Sequence, residues 1–217
     1  MSGYALVNVL GCFLILTSLI VILMKSPKST AYAYGVQSLV LVGIFIALGV
    51  TTGSTELFTW SGTAFFTKVI FVPAVVLFTL KKMGNPDEKI EPLVKPIVTV
   101  ILAVVEVAIC YLIVQYIKLP TTTEVLPALA VSLAHFFIGL TCIISQRNIV
   151  KQMFGYCLME NGSHLTLALL APQAPELVEI GIATDAIFAV VIMAIIVYRV
   201  YKKVNTMNSD ELMELKG

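Results

Sequence analysis

Long apolar runs, cut by short breaks rich in proline, glycine, asparagine and lysine, organise the whole chain. Seven runs stand out, at about 3–24, 31–55, 57–80, 97–117, 125–144, 149–170 and 177–200. Each holds roughly 20 residues or more, enough at 1.5 Å per residue to cross about 30 Å of hydrocarbon as a helix. The breaks carry the residues that end helices. Pro27 follows the first run, Gly53 lies near the end of the second and Gly84-Asn85-Pro86 follows the third. Pro92 and Pro96 precede the fourth, Pro120 and Pro127 flank the next turn, and Pro172 and Pro175 precede the last. Pro73 falls inside the third run and predicts a kink there. The expected fold is all-α, a polytopic membrane bundle of seven transmembrane helices.

Composition agrees with that pattern. The 217 residues are 59% hydrophobic and 12% charged, with a mean hydropathy of +0.96. A soluble domain carries about 25% charge. A formal net charge of +1 gives no basic field for nucleic acid. The first run has no basic residue ahead of it and no small-residue cleavage site, so it reads as a retained span. Cys12, Cys110, Cys142 and Cys157 all fall inside apolar runs and none forms a CxxC pair. They read as small packing residues, and the chain is expected to hold no metal, cluster or other cofactor of its own.

The basic residues predict orientation. Lys25 and Lys28 lie in the first break, and Lys81, Lys82, Lys89 and Lys95 in the third. Arg147 and Lys151 lie in the fifth, and Arg199, Lys202, Lys203 and Lys216 at or beyond the last helix end. Those are 12 of the 14 lysines and arginines, and only Lys118 falls in an even-numbered break. The positive-inside rule then predicts an N-terminus outside and a C-terminus in the cytoplasm. Trp60, Tyr116, Tyr32 and Tyr201 fall near run ends, as an aromatic belt would place them.

Five ionisable residues sit deep in the runs. Counted from the outer helix ends, Lys68, Glu106, His135 and Glu160 lie about 15–16 Å in and Asp185 about 12 Å, so they share one level. His164 is shallower, at about 9 Å. A lysine or aspartate at a helix centre costs about 2.5–3.5 kcal/mol on insertion scales, so these groups must face each other or water. Lys68 and Glu106, opposite in sign on successive spans, are the expected pair, either as a staple fixing helix register or as part of a proton path. Glu160 and His164 are one turn apart on one helical face. With His135 and Asp185 they have no evident basic partners, which is the pattern of a proton relay or of neutral, hydrogen-bonded groups. Gly155, Gly162 and Ser163 thin one side of the sixth span for close helix approach, and Gly162 is placed to loosen the backbone beside Glu160 as a π-bulge would.

The run SQRNIVKQMFGYCLMENGSHLTLALL, followed by PELVEIGIATDAIFAV, closely resembles the hydrogenase-4 component E family. The resemblance extends over the whole chain, including FTKVIFVP, KLP and the final LKG. It implies a non-catalytic membrane subunit of a [NiFe]-hydrogenase or formate hydrogenlyase complex in a prokaryotic inner membrane. The partners it implies are antiporter-like subunits, a heel-type membrane subunit and the hydrogenase arm, with nickel–iron and iron–sulfur centres on those partners. The last ninety or so residues also resemble the K-type subunit of respiratory complex I. Of that family's two buried glutamates, one falls on Asp185, with the carboxylate retained, and the other on Cys157, with Glu160 one turn further on. The implied organisation is a four-helix region at 1–120, a K-like region at 121–204 and a short tail at 205–217, either docked or frayed. Three other readings stay open: a haem held between His135 and His164, a subunit of a multi-subunit sodium/proton antiporter, and a purely structural linker.

Overall fold

The computed structural model describes residues 3–86, 90–116 and 123–212, so Lys89, Lys118, Pro120, Lys216 and the end of the tail lie outside it. The helices are α1 (Gly3–Leu23), α2 (Pro27–Thr52), α3 (Glu56–Ala64), α4 (Val72–Lys82), α5 (Pro96–Tyr116), α6 (Leu126–Ser145), α7 (Ile149–Leu170), α8 (Glu176–Val204) and α9 (Ser209–Leu212). A π-helical segment, Phe65–Phe71, joins α3 to α4 in one rod over Glu56–Lys82. No strand forms among the described residues. Among the described residues six elements are long and apolar enough to cross a membrane: α1, α2, the α3–α4 rod, α5, α6 and α8. Helix α7 is as long as α6 but too polar through its middle to join them by composition.

The polarity of α7 is explained by where it sits. It runs antiparallel along α6, from the Cys142 thiol on the Lys151 carbonyl to the bond that the Thr166 hydroxyl donates to Ser132. Glycines bring the two backbones together. A Cβ on Gly155 would fall 2.8 Å from Ile143 Cγ1, and one on Gly162 would fall 2.5 Å from the Phe136 nitrogen. Gly139, on α6, faces the Met159 backbone in the same way. Ser163, expected to share this seam, is exposed on the far side of the helix. The backbone beside Glu160 is unbroken α-helix. The widened turn lies instead around Lys68, immediately before Pro73, whose ring nitrogen offers no donor to the preceding turn.

The connections sort by end. Lys151 Nζ and the Gln146 side chain bond the Ile22 carbonyl, the Leu93 amide bonds Ser145 O, and the Ile149 amide bonds Met207 O. The first, third and fifth breaks and the tail therefore gather at one end, with Lys25, Lys95, Arg147 and Lys151 among them. At the opposite end Ser54 Oγ donates to Pro172 O. The tail is tied through α9: the Ser209 amide donates to Arg147 O, and Arg147 Nε meets Asp210 at 2.9 Å. Tyr32 and Tyr116 point outward, as belt residues do, but Trp60 is fully buried against Phe45 and His164. Its position near a helix end hid an inward-facing side chain.

The core has two apolar clusters. One, around Tyr34, Val76, Phe154 and Leu158, fills the basic half. The other, around Leu41, Phe45, Trp60 and Leu165, fills the opposite half. Along each central helix the two are separated by polar side chains: Ser18 on α1, Gln37 and Ser38 on α2, Lys68, His135 on α6 and Asn161 on α7. The outward faces of α5 and α8 carry exposed isoleucine, valine, leucine and phenylalanine, a surface suited to lipid or to other helices.

Candidate functional site: a buried polar layer

At the centre of that layer Lys68 Nζ lies 2.7 and 2.6 Å from the two carboxylate oxygens of Glu160 and 2.8 Å from Asn161 Oδ1. The lysine is 1% exposed and the glutamate 12%. The π-helical segment holds Lys68, and α7 supplies both acceptors from successive residues. The expected pairing of Lys68 with Glu106 is not formed. Glu106 lies half-buried on α5, where the Thr141 hydroxyl of α6 donates to it. Adjacency of two spans in sequence does not make them face each other: α5 packs chiefly on α6, and α7 stands nearer Lys68.

The ammonium fixes the direction of a longer chain of bonds. Lysine has only donors, so Asn161 must turn Oδ1 toward it. Asn161 Nδ2 then donates to Gln37 Oε1 at 3.0 Å, which leaves Gln37 Nε2 to donate to His135 Nε2 at 3.2 Å. His135 Nδ1 lies 3.0 Å from Ser18 Oγ, whose own proton goes to the Leu14 carbonyl at 2.6 Å. His135 is therefore the neutral tautomer protonated on Nδ1. Every bond in the series runs from Lys68 toward α1. With both ring nitrogens engaged by Ser18 and Gln37, His135 offers none to a haem iron.

A second acid–base pair lies one turn along α7. His164 Nε2 is 2.7 Å from Glu179 Oε2, and the Thr63 hydroxyl donates to Glu179 Oε1. Both members of the pair are buried. The imidazole is also held between the rings of Phe45 and Trp60, at 4.7 and 5.3 Å. Glu179 escaped the sequence reading because it falls in the first turn of α8, where an acid is expected to be solvated. Gln37 escaped because an amide carries no charge to mark it.

Glu160, His164 and Asp185 line one cavity of about 340 Å³ with Tyr156, Met159 and Ser163, open to the outside of the chain. Asp185 is exposed on α8. The structure thus brings Lys68, Glu160, His164 and Asp185 to one place, joins His135 to them through Asn161 and Gln37, and leaves Glu106 apart. Cys157, where the K-type resemblance had placed a carboxylate, is buried among apolar neighbours. The carboxylate on α7 is that of Glu160. Chemically, the arrangement offers a carboxylate with a buried ammonium on one side and an accessible cavity on the other, a second carboxylate across that cavity, and an imidazole–carboxylate pair beside it.

A family model described as NADH-ubiquinone/plastoquinone oxidoreductase chain 4L matches residues 127–217. Proteins described as hydrogenase-4 component E, from Escherichia coli (strain K12), Escherichia coli O157:H7 and Shigella flexneri, are each 49% identical over 218 residues, covering 100% of this chain and 100% of their own. No solved structure matches the chain.

Proposed function

Because this chain belongs to the hydrogenase-4 component E family, we propose that its buried charges form part of a lateral proton path through the membrane arm of a hydrogenase complex. It is a multi-pass membrane subunit of such a complex, with a K-subunit-like C-terminal part. We read α7 as the seventh span, since it lies along the whole of α6, and 121–204 as the K-like region. In our reading the basic end faces the cytoplasm of a prokaryotic inner membrane and the N-terminus faces out. The subunit does no redox chemistry itself. The nickel–iron and iron–sulfur centres belong to partners, and the chain sits between antiporter-like subunits and the heel-type subunit that faces the hydrogenase arm.

One observation carries the proposal: Glu160 touches the buried ammonium of Lys68 and also borders an open cavity shared with Asp185 and His164. A carboxylate so placed stands between the cavity and the interior of the bundle, the position a proton-path group needs. The amides and His135 beyond Lys68 hold that ammonium in place; an amide passes protons poorly, so we assign them positioning and not conduction.

The test uses inverted membrane vesicles carrying the whole complex. Glu160→Gln and Asp185→Asn should weaken hydrogen-linked proton movement while hydrogen oxidation by an artificial dye continues. Undiminished proton movement in both variants, with the complex assembled, would leave the chain a structural linker. Copurification with antiporter subunits and no hydrogenase subunits would move it to the sodium/proton antiporter class.

A further inference from the structure

A second cavity, of about 400 Å³, opens at the basic end of the bundle, well away from the polar layer. Among the described residues its lining combines Lys25 just beyond α1, Lys95 and Pro96 at the start of α5, Lys151 on α7, and one carboxylate, that of Glu91. Among the described residues three ammonium groups thus meet one carboxylate. Ile22, Leu23 and Ile90 supply an apolar wall. Lys95 and Lys25 are exposed.

Lys151 is the unusual member. It is only 5% exposed, and its Nζ bonds two neutral oxygens, Ile22 O at 3.1 Å and Gln146 Oε1 at 3.0 Å. Among the described residues no carboxylate pairs with it. A buried ammonium held by carbonyls alone is costly, and an anion in the cavity would offset that cost. The first turn of α5 points the same way, because Pro96 and Thr99 line the cavity and a helix start favours negative charge.

We propose that this cavity is a binding site for a phosphate group, the headgroup of an anionic phospholipid, with its acyl chains along the Ile22–Leu23 wall. Basic pockets between spanning helices hold such headgroups at membrane surfaces. A free phosphate would satisfy the same ammonium groups, but the apolar wall at the membrane edge favours the lipid.

Native mass spectrometry of the full chain, purified in mild detergent, tests the site. With phosphatidylglycerol or cardiolipin titrated against phosphatidylcholine, one anionic lipid per chain is expected to be retained. Lys25→Gln and Lys95→Gln should each weaken retention about fivefold. Lys151→Met should weaken it at least as much, with gel filtration checking that this variant remains folded. Lys202→Gln and Lys203→Gln, at the same end but outside the cavity, should leave retention unchanged. Inorganic phosphate separates the two sources: displacement of the lipid at millimolar phosphate assigns the site to any phosphate group, and no displacement assigns it to the lipid. Equal retention of phosphatidylcholine, unchanged retention in the Lys25→Gln/Lys95→Gln double variant, or an equal loss in the Lys202 and Lys203 variants would each overturn the proposal.

Discussion

Removing one half of the Lys68–Glu160 pair should cost as much as removing both. In Glu160→Gln a lysine that is 1% exposed loses its counter-charge and keeps only neutral oxygens around it. Breaking a buried pair from one side costs about 3–5 kcal/mol. A lone charge at the centre of a spanning helix gives a similar figure, about 2.5–3.5 kcal/mol. Lys68→Met strands Glu160 in the same way and also deprives Asn161 Oδ1 of its donor, for a further ~1–3 kcal/mol. The double variant carries neither charge. It should therefore be no less stable than the worse single variant, which requires a coupling energy between the two positions at least as large as the smaller single loss, about 3 kcal/mol or more. Reversible unfolding in mixed micelles, followed through the chain's single tryptophan, measures all four corners of the cycle. If the two single losses are small and simply add, the charges are solvated separately and the reasoning from burial is wrong.

Other outcomes follow from the same geometry. Gly162→Val should abolish folded protein, because the added carbon meets the α6 backbone 2.5 Å away; recovery of normal amounts from membranes would contradict the close approach. Trp60 should emit in the blue and resist quenching by lipids brominated near the headgroup, since it is fully buried against His164 and Phe45; efficient quenching would return it to the membrane interface. Gln37→Leu leaves acceptor and donor atoms of Asn161 and His135 unpaired, and should cost ~1–3 kcal/mol per orphaned group while proton movement persists in the assembled complex. Loss of proton movement with normal stability would make the amides conductors and not positioning groups.

Much of the helical plan is visible in the sequence because lipid imposes it. Without water to satisfy the backbone, a run of twenty apolar residues has few other choices, and proline and glycine mark where it stops. The level of Lys68, His135 and Glu160 is readable for the same reason, since rise per residue converts position into depth. Rotation about the helix axis is not readable. Helices apolar nearly all round carry no stripe to say which neighbour they face, and so sequence order points Lys68 to Glu106 on α5 while its partner, Glu160, stands on α7. The same blindness placed Trp60 at the surface. The π-helical segment is hidden too, because nothing in FTKVIFVP beyond Pro73 distinguishes a widened turn from a kink. The glycines were legible as small residues, but their partner Gly139 becomes evident only when α6 and α7 are seen antiparallel.

Asp185 has a consequence for the life of the subunit before assembly. Its side chain opens outward from α8, onto the surface that a solitary copy would present to acyl chains. An ionised aspartate there burdens the orphan by about 2.5–3.5 kcal/mol until a neighbouring polypeptide or water shields it. A solitary copy should therefore sit less stably in a bilayer than one whose α8 face is covered.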